Sequence, residues 1–169
     1  MNKSVAFIIA NKNFRDEELF VTRDVLIRHD VNTAIIALSP EVAVGTKGGS
    51  VNVDFTLDQL HKNLSHYDAI VFVGGSGSSI YFNNNTAHDI AKQAYAAGKT
   101  VAAICIAPVT LENAGILTGK RVTSYPSEKE KFTSSIYTNA DLEIDGKIIT
   151  ANGPQSSEKF GNAILKSLL

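Results

Sequence analysis

Apolar and polar positions fall into two patterns along this chain. Four short runs are apolar almost without interruption: VAFIIA (5–10), TAIIAL (33–38), AIVFV (69–73) and TVAAI (100–104). They are rich in β-branched residues and do not alternate with polar positions, which is how parallel strands covered on both faces read. Segments with helical spacing lie between them. Residues 17–28 place Leu19, Phe20, Val25, Leu26 and Ile27 near one face. Residues 86–97 repeat Ala87, Ile90, Ala91, Ala94 and Tyr95, with Gly98 as the closing residue. Residues 108–114 open with Pro108, which suits a first helical turn. Residues 156–168 start with two serines as caps and carry Phe160, Ala163, Ile164 and Leu168 inward. The alternation predicts an α/β fold: a doubly wound, mostly parallel sheet between layers of helices. LEIDGKIIT (142–150) adds a β-hairpin, with Asp145-Gly146 as a type I′ turn signal, and VAVGTKGGSVNVD (42–54) is a weaker hairpin.

Length and charge narrow the picture. A chain of 169 residues is read as a single domain, 1–169, large enough to bury a core without staples. A formal net charge of −1 and the lack of a basic stripe give no pull toward nucleic acid or anionic lipid. No run approaches the roughly 18 apolar residues of a membrane span, and VAFIIA is short for a signal peptide. One cysteine rules out an internal disulfide framework and fits a reducing compartment, so a cytoplasmic protein is expected. His61 and His66 do not form an i, i+4 ligand pair, and His29 and His88 stand alone. No metal or other cofactor is therefore expected.

In open α/β sheets, sites form at the carboxyl ends of strands. Three strand ends here carry unusual residues. The first leads into FRDEEL (14–19), where Asp16, Glu17 and Glu18 point in different directions around a helix start. Acids there complement the helix dipole, but one of them can turn inward, where burial would raise its pKa and keep it protonated. The third apolar run ends in VGGSGSS (73–79), where Gly74 and Gly75 allow close backbone approach and amide donors to a developing anion. It fails G-x-G-x-x-G because Ile80 stands at the third glycine, and no Walker lysine follows. The fourth ends in AAICIAP (102–108), which holds Cys105. A thiol at a strand-to-helix junction meets orphan amides that favour the thiolate, as at a nucleophile elbow. Taken alone, Cys105 is equally readable as inert packing among alanine and isoleucine.

Five stretches in order decide between these readings. FRDEEL, YDAIVFVGGSG (67–77), AAICIAP, LENAGILTGKRVTSYP (111–126) and DGKIITANGP (145–154) together resemble the ThiJ/PfpI superfamily over essentially the whole chain. The resemblance implies a flavodoxin-like sandwich, a homodimer, and a cysteine on a strained elbow. It implies that Glu18 is a buried, protonated carboxyl next to the Cys105 sulfur. It also implies that the amides of Gly74, Gly75 and Ile106 form an anion pocket.

The departures from that family are specific. Members of the PfpI branch carry a histidine directly after the cysteine, where this chain has Ile106. Members of the DJ-one branch carry one before a later proline, as T-H-P, where this chain has S-Y-P with Tyr125. A nucleophile needs a base or a depressed pKa, and a phenol, titrating near roughly pH 10, is a poor base. The resemblance and its departures imply a stress protein acting through Cys105 and Glu18 on small reactive carbonyls, of the glutathione-independent glyoxalase or deglycase type. The alternative is a redox-responsive chaperone in which an oxidant converts Cys105 to a sulfinate without catalysis. A PfpI-type cysteine peptidase is disfavoured, because amide hydrolysis needs a general acid for the amine.

Overall fold

The computed structural model describes residues 2–169. Seven strands make the central sheet, and buried, β-branched runs supply its middle. In chain order these are β1 (Ser4–Ile8), β3 (Asn32–Ala37), β6 (Phe55–Thr56), β7 (Ala69–Phe72), β8 (Thr100–Ile104), β11 (Leu142–Asp145) and β12 (Ile148–Ala151). Their spatial order is β11-β12-β8-β7-β1-β3-β6. All neighbours are parallel except β11 with β12. This is the flavodoxin-like, doubly wound arrangement expected from the pattern, with an antiparallel edge strand added.

Helices α1 (Asp16–Ile27) and α5 (Ser157–Ser167) cover one face. Helices α2 (Leu57–Lys62), α3 (Asn85–Ala96) and α4 (Pro108–Asn113) cover the other. Strand β1 serves both cores, with Ala6 and Ile8 on one side and Val5 and Phe7, continued by Ile9 just past its end, on the other. Small elements complete the chain. Strand β2 (Lys12–Phe14) pairs with β4 (Ala43–Gly45), which turns back onto β5 (Ser50–Val51), and β9 (Arg121–Val122) pairs with β10 (Ile136–Tyr137).

Several expectations need correction. The 142–150 hairpin forms, but Asp145 pairs with Ile148, so the turn is Gly146-Lys147. Only Gly146 has positive φ, at 61°, which is the type II′ pattern and not I′. In α1, Leu19, Val25 and Leu26 are buried, whereas Ile27 is 46% exposed, one step past the inward face. The serines before α5 make no side-chain cap. Ser156 donates to Asn152 and Ser157 to the Pro154 carbonyl, serving the preceding turn. Helix α2 was not expected, although Thr56 and Gln59 form a capping box at its start. No helix among the described residues is long and apolar enough to cross a membrane.

Candidate active site

Strand β8 ends at Ile104, and the next residue leaves the sheet. Cys105 sits at φ 66°, a left-handed conformation that an L side chain rarely adopts. Two long-range hydrogen bonds hold it there. Its N–H donates to the Ala151 carbonyl at 3.0 Å, and its carbonyl accepts from Tyr125 N–H at 2.8 Å. The backbone is thus fixed from β12 on one side and from the Ser124–Pro126 bend on the other, which is what sustains a strain of about 1–3 kcal/mol. Helix α4 follows at once, with Pro108 in its first turn. Cys105 is 8% exposed and lies in a pocket of about 540 Å³ at the carboxyl ends of the strands.

Glu18 comes from the first turn of α1 and is wholly buried, at 0% exposure. Its Oε1 accepts from Gly74 N–H at 2.9 Å. Its Oε2 is buried without a hydrogen-bond partner, with the Cys105 thiol as the neighbouring polar group. Gly74 explains why this packing demands glycine. A Cβ there would stand 2.4 Å from Glu18 Oε1, 2.6 Å from Cys105 Cβ and 2.8 Å from the Ile104 carbonyl oxygen. Gly75 is required twice over: its φ is 98°, and a Cβ would lie 2.4 Å from both Arg15 N and Asn13 O.

Burial dominates the electrostatics. It pushes the Glu18 carboxyl up to about 8, against the opposing influence of the neighbouring Cys105 thiol and the Gly74 amide. Burial, followed by the Glu18 carboxylate charge, pushes the Cys105 thiol up to about 12, while the amides of Gly75 and Ile106 pull it down. This reverses the thiolate-favouring balance expected at a helix start: desolvation outweighs two amides and one short helix. The carboxylate contribution exists only when Glu18 is ionised. A protonated Glu18 would carry no charge to repel a thiolate. The two groups therefore titrate as one pair.

The other expected residues divide. The Gly75 and Ile106 amides are those beside the sulfur. The Gly74 amide is spent on Glu18 and is not open to a bound anion, which corrects its expected place in the pocket. Tyr125 is 45% exposed and lines the pocket wall. Among the described residues no histidine lines this pocket. His29 Nδ1 meets the Val25 carbonyl, His88 Nε2 meets the Phe82 carbonyl, and His61 meets Gln93. Of the acids before Glu18 in α1, Glu17 pairs with Arg15 at 2.8 Å. Asp16 accepts from Lys47 N–H at 2.8 Å and Gly49 N–H at 2.7 Å, tying the β4–β5 turn to the site. Arg15, Thr46, Ser127 and Gln155 also line the pocket and were not anticipated. Arg15 and Gln155 lie inside or beside quoted motifs, but their direction depends on tertiary packing that the sequence pattern does not show.

Known proteins resemble this chain over most of its length. A protein of Methanocaldococcus jannaschii of uncharacterised function is 38% identical, covering 99% of this chain and 83% of that one. A Pyrococcus horikoshii protein named a deglycase is 32% identical, covering 89% of this chain and 90% of its own. A Caenorhabditis elegans protein named a glutathione-independent glyoxalase is 29% identical over 98% of this chain and 89% of its own. Among solved structures, a ThiJ/PfpI domain protein from Brachyspira murdochii superposes with a TM-score of 0.95 at 27% identity, covering 99% of this chain and 98% of that one. The model of the DJ-1/PfpI family matches residues 3–167, and the chain belongs to that family.

Proposed function

We propose that the protein converts small α-oxoaldehydes to 2-hydroxy acids without glutathione, using Cys105 as nucleophile and Glu18 as proton carrier. The observation that carries this reading is the pairing of a strained, pocket-facing cysteine with a wholly buried carboxyl whose second oxygen has no other partner. The names of two relatives, a deglycase and a glyoxalase, support the same class of chemistry.

The Glu18–Cys105 pair enters with one proton between the two groups; as the sulfur adds to the aldehyde carbon, the carbonyl electron pair moves to oxygen, which takes that proton from Glu18, giving a hemithioacetal and leaving Glu18 as the carboxylate. The Gly75 and Ile106 amides, which act on the sulfur, would stabilise the charge gathering on that oxygen. The Glu18 carboxylate then removes the proton from the former aldehyde carbon and returns it to the adjacent carbon, while the hydroxyl proton passes to the oxygen on that adjacent carbon, leaving the thioester of the 2-hydroxy acid. Water cleaves the thioester and frees the thiol and the hydroxy acid. None of these steps asks for a strong acid to release an amine, which is why peptide cleavage is the weaker reading for a pocket without histidine among the described residues. The test is lactate formation from methylglyoxal. Catalytic accumulation by the wild type and background rates in Cys105→Ser are expected; equal rates in both would end the proposal.

The redox alternative draws on the same amides. Two equivalents of peroxide would convert the Cys105 thiol to a sulfinic acid, transferring two oxygens and releasing two waters. Intact mass after mild peroxide tests it: a gain of two oxygens at Cys105 with raised stability supports it, and no gain counts against it. We further propose a cytoplasmic homodimer as the working form. Its face would include the exposed apolar residues Val21 and Ile27 of α1.

A further inference from the structure

Arg15 has no part in the steps above, yet it is the one charged side chain of conventional charge lining the Cys105 pocket. Its position is fixed by backbone. Arg15 N–H donates to the Gly74 carbonyl at 3.0 Å, so the residue is stitched to the same glycine turn that holds Glu18. Its side chain is half-buried and turned onto Glu17, with Nε at 2.9 Å and Nη2 at 2.8 Å from the same oxygen, Oε2. Nη1 is left without a protein partner among the described residues. The Glu17 hydrogen bond, outweighing partial burial, holds the Arg15 pKa above its ordinary value, and Arg15 and Cys105 line the same pocket. The remaining polar lining is neutral and rich in donors: Thr46, Ser76, Ser127 and Gln155. Glu17 is not part of the lining, and Glu18 lies wholly buried beneath it.

A pocket whose open charge is a planar, multi-donor cation suits a carboxylate, which accepts two parallel N–H bonds from such a group. We propose that Arg15 is a specificity-determining residue that favours carbonyl substrates bearing a carboxylate, with the carboxylate on the guanidinium and the reacting carbon over Cys105. Glu17 acts as a brake, since its pairing lowers the charge available to the substrate. This deepens the substrate class of the proposed carbonyl chemistry and rests on that reading for turnover, though the charge preference itself does not.

The test compares two reagents of nearly equal shape at one sulfur. Iodoacetate and iodoacetamide both form a carbon–sulfur bond to Cys105, expel iodide and release the thiol proton; only iodoacetate is anionic. The ratio of their rates, followed by intact mass, cancels the intrinsic reactivity of the thiol. Arg15→Gln is expected to lower the iodoacetate-to-iodoacetamide ratio by about fivefold, and Glu17→Gln to raise it. A ratio unchanged in Arg15→Gln overturns the proposal. If neither reagent modifies Cys105 in the wild type, the reactive-sulfur reading fails, and glyoxylate binding to Cys105→Ser, read by amide NMR titration, decides instead. Binding weakened about fivefold by adding Arg15→Gln upholds the charge preference, and equal or absent binding overturns it.

Discussion

Cys105 and Glu18 are each costly alone and intelligible together. A left-handed cysteine and a buried carboxyl both oppose folding, and the Gly74 amide, the Ala151 carbonyl and the Tyr125 amide hold them in place. The sign of the pH effect follows from the raised Glu18 pKa. Between its ordinary 4.5 and about 8, the folded chain keeps a proton that the unfolded chain has released. Rising pH across that window therefore favours unfolding, and below it the carboxyl costs nothing in ionisation. Glu18→Gln imitates the protonated form and does not titrate. In urea titrations at pH 5 and pH 8, the wild type should lose on the order of a few kcal/mol relative to Glu18→Gln. A constant difference would mean that Glu18 is not held protonated. Gly74→Ala drives a methyl into Glu18, Cys105 and the Ile104 carbonyl, and should destabilise by about 2–3 kcal/mol in the same titration.

At the scale of elements, the site is a meeting of strand ends with two turns. Strand β8 delivers Cys105, the turn after β7 delivers the glycines, and α1 delivers Glu18. Asp16 adds the β4–β5 turn, and with it Thr46, to the pocket wall. Asp16→Ala leaves the Lys47 and Gly49 amides unmet and should cost roughly 2–3 kcal/mol. Its KM for a carbonyl substrate should rise more than its kcat falls; an unchanged KM would mean the turn does not shape the pocket. These elements were legible to different degrees. The parallel strands announce themselves because both faces are buried, so every position is apolar. Helix α2 hides because it is only six residues long and just Leu57 and Leu60 are buried, too few for a period. The inward turn of Glu18 was readable as one of three candidate acids. The raised Cys105 pKa was not readable, because desolvation depends on tertiary packing that brings Glu18 and Gly74 against Cys105.

For the whole molecule, the ordering of motifs shows the family while the departures shape the chemistry. No histidine among the described residues lines the pocket, and Ile106 and Tyr125 line it where the family resemblance would place one, so the proposed reaction assigns proton transfer to Glu18. The proposed dimer should give twice the chain mass by light scattering, with Ile27→Glu shifting it toward monomer; a monomeric wild type would count against that assembly. The account stands most directly on one kinetic comparison: kcat/KM for methylglyoxal in folded Glu18→Gln beside folded Cys105→Ser. Loss to background in Cys105→Ser and a loss of about a hundredfold or more in Glu18→Gln are predicted. Wild-type turnover by either variant would contradict it.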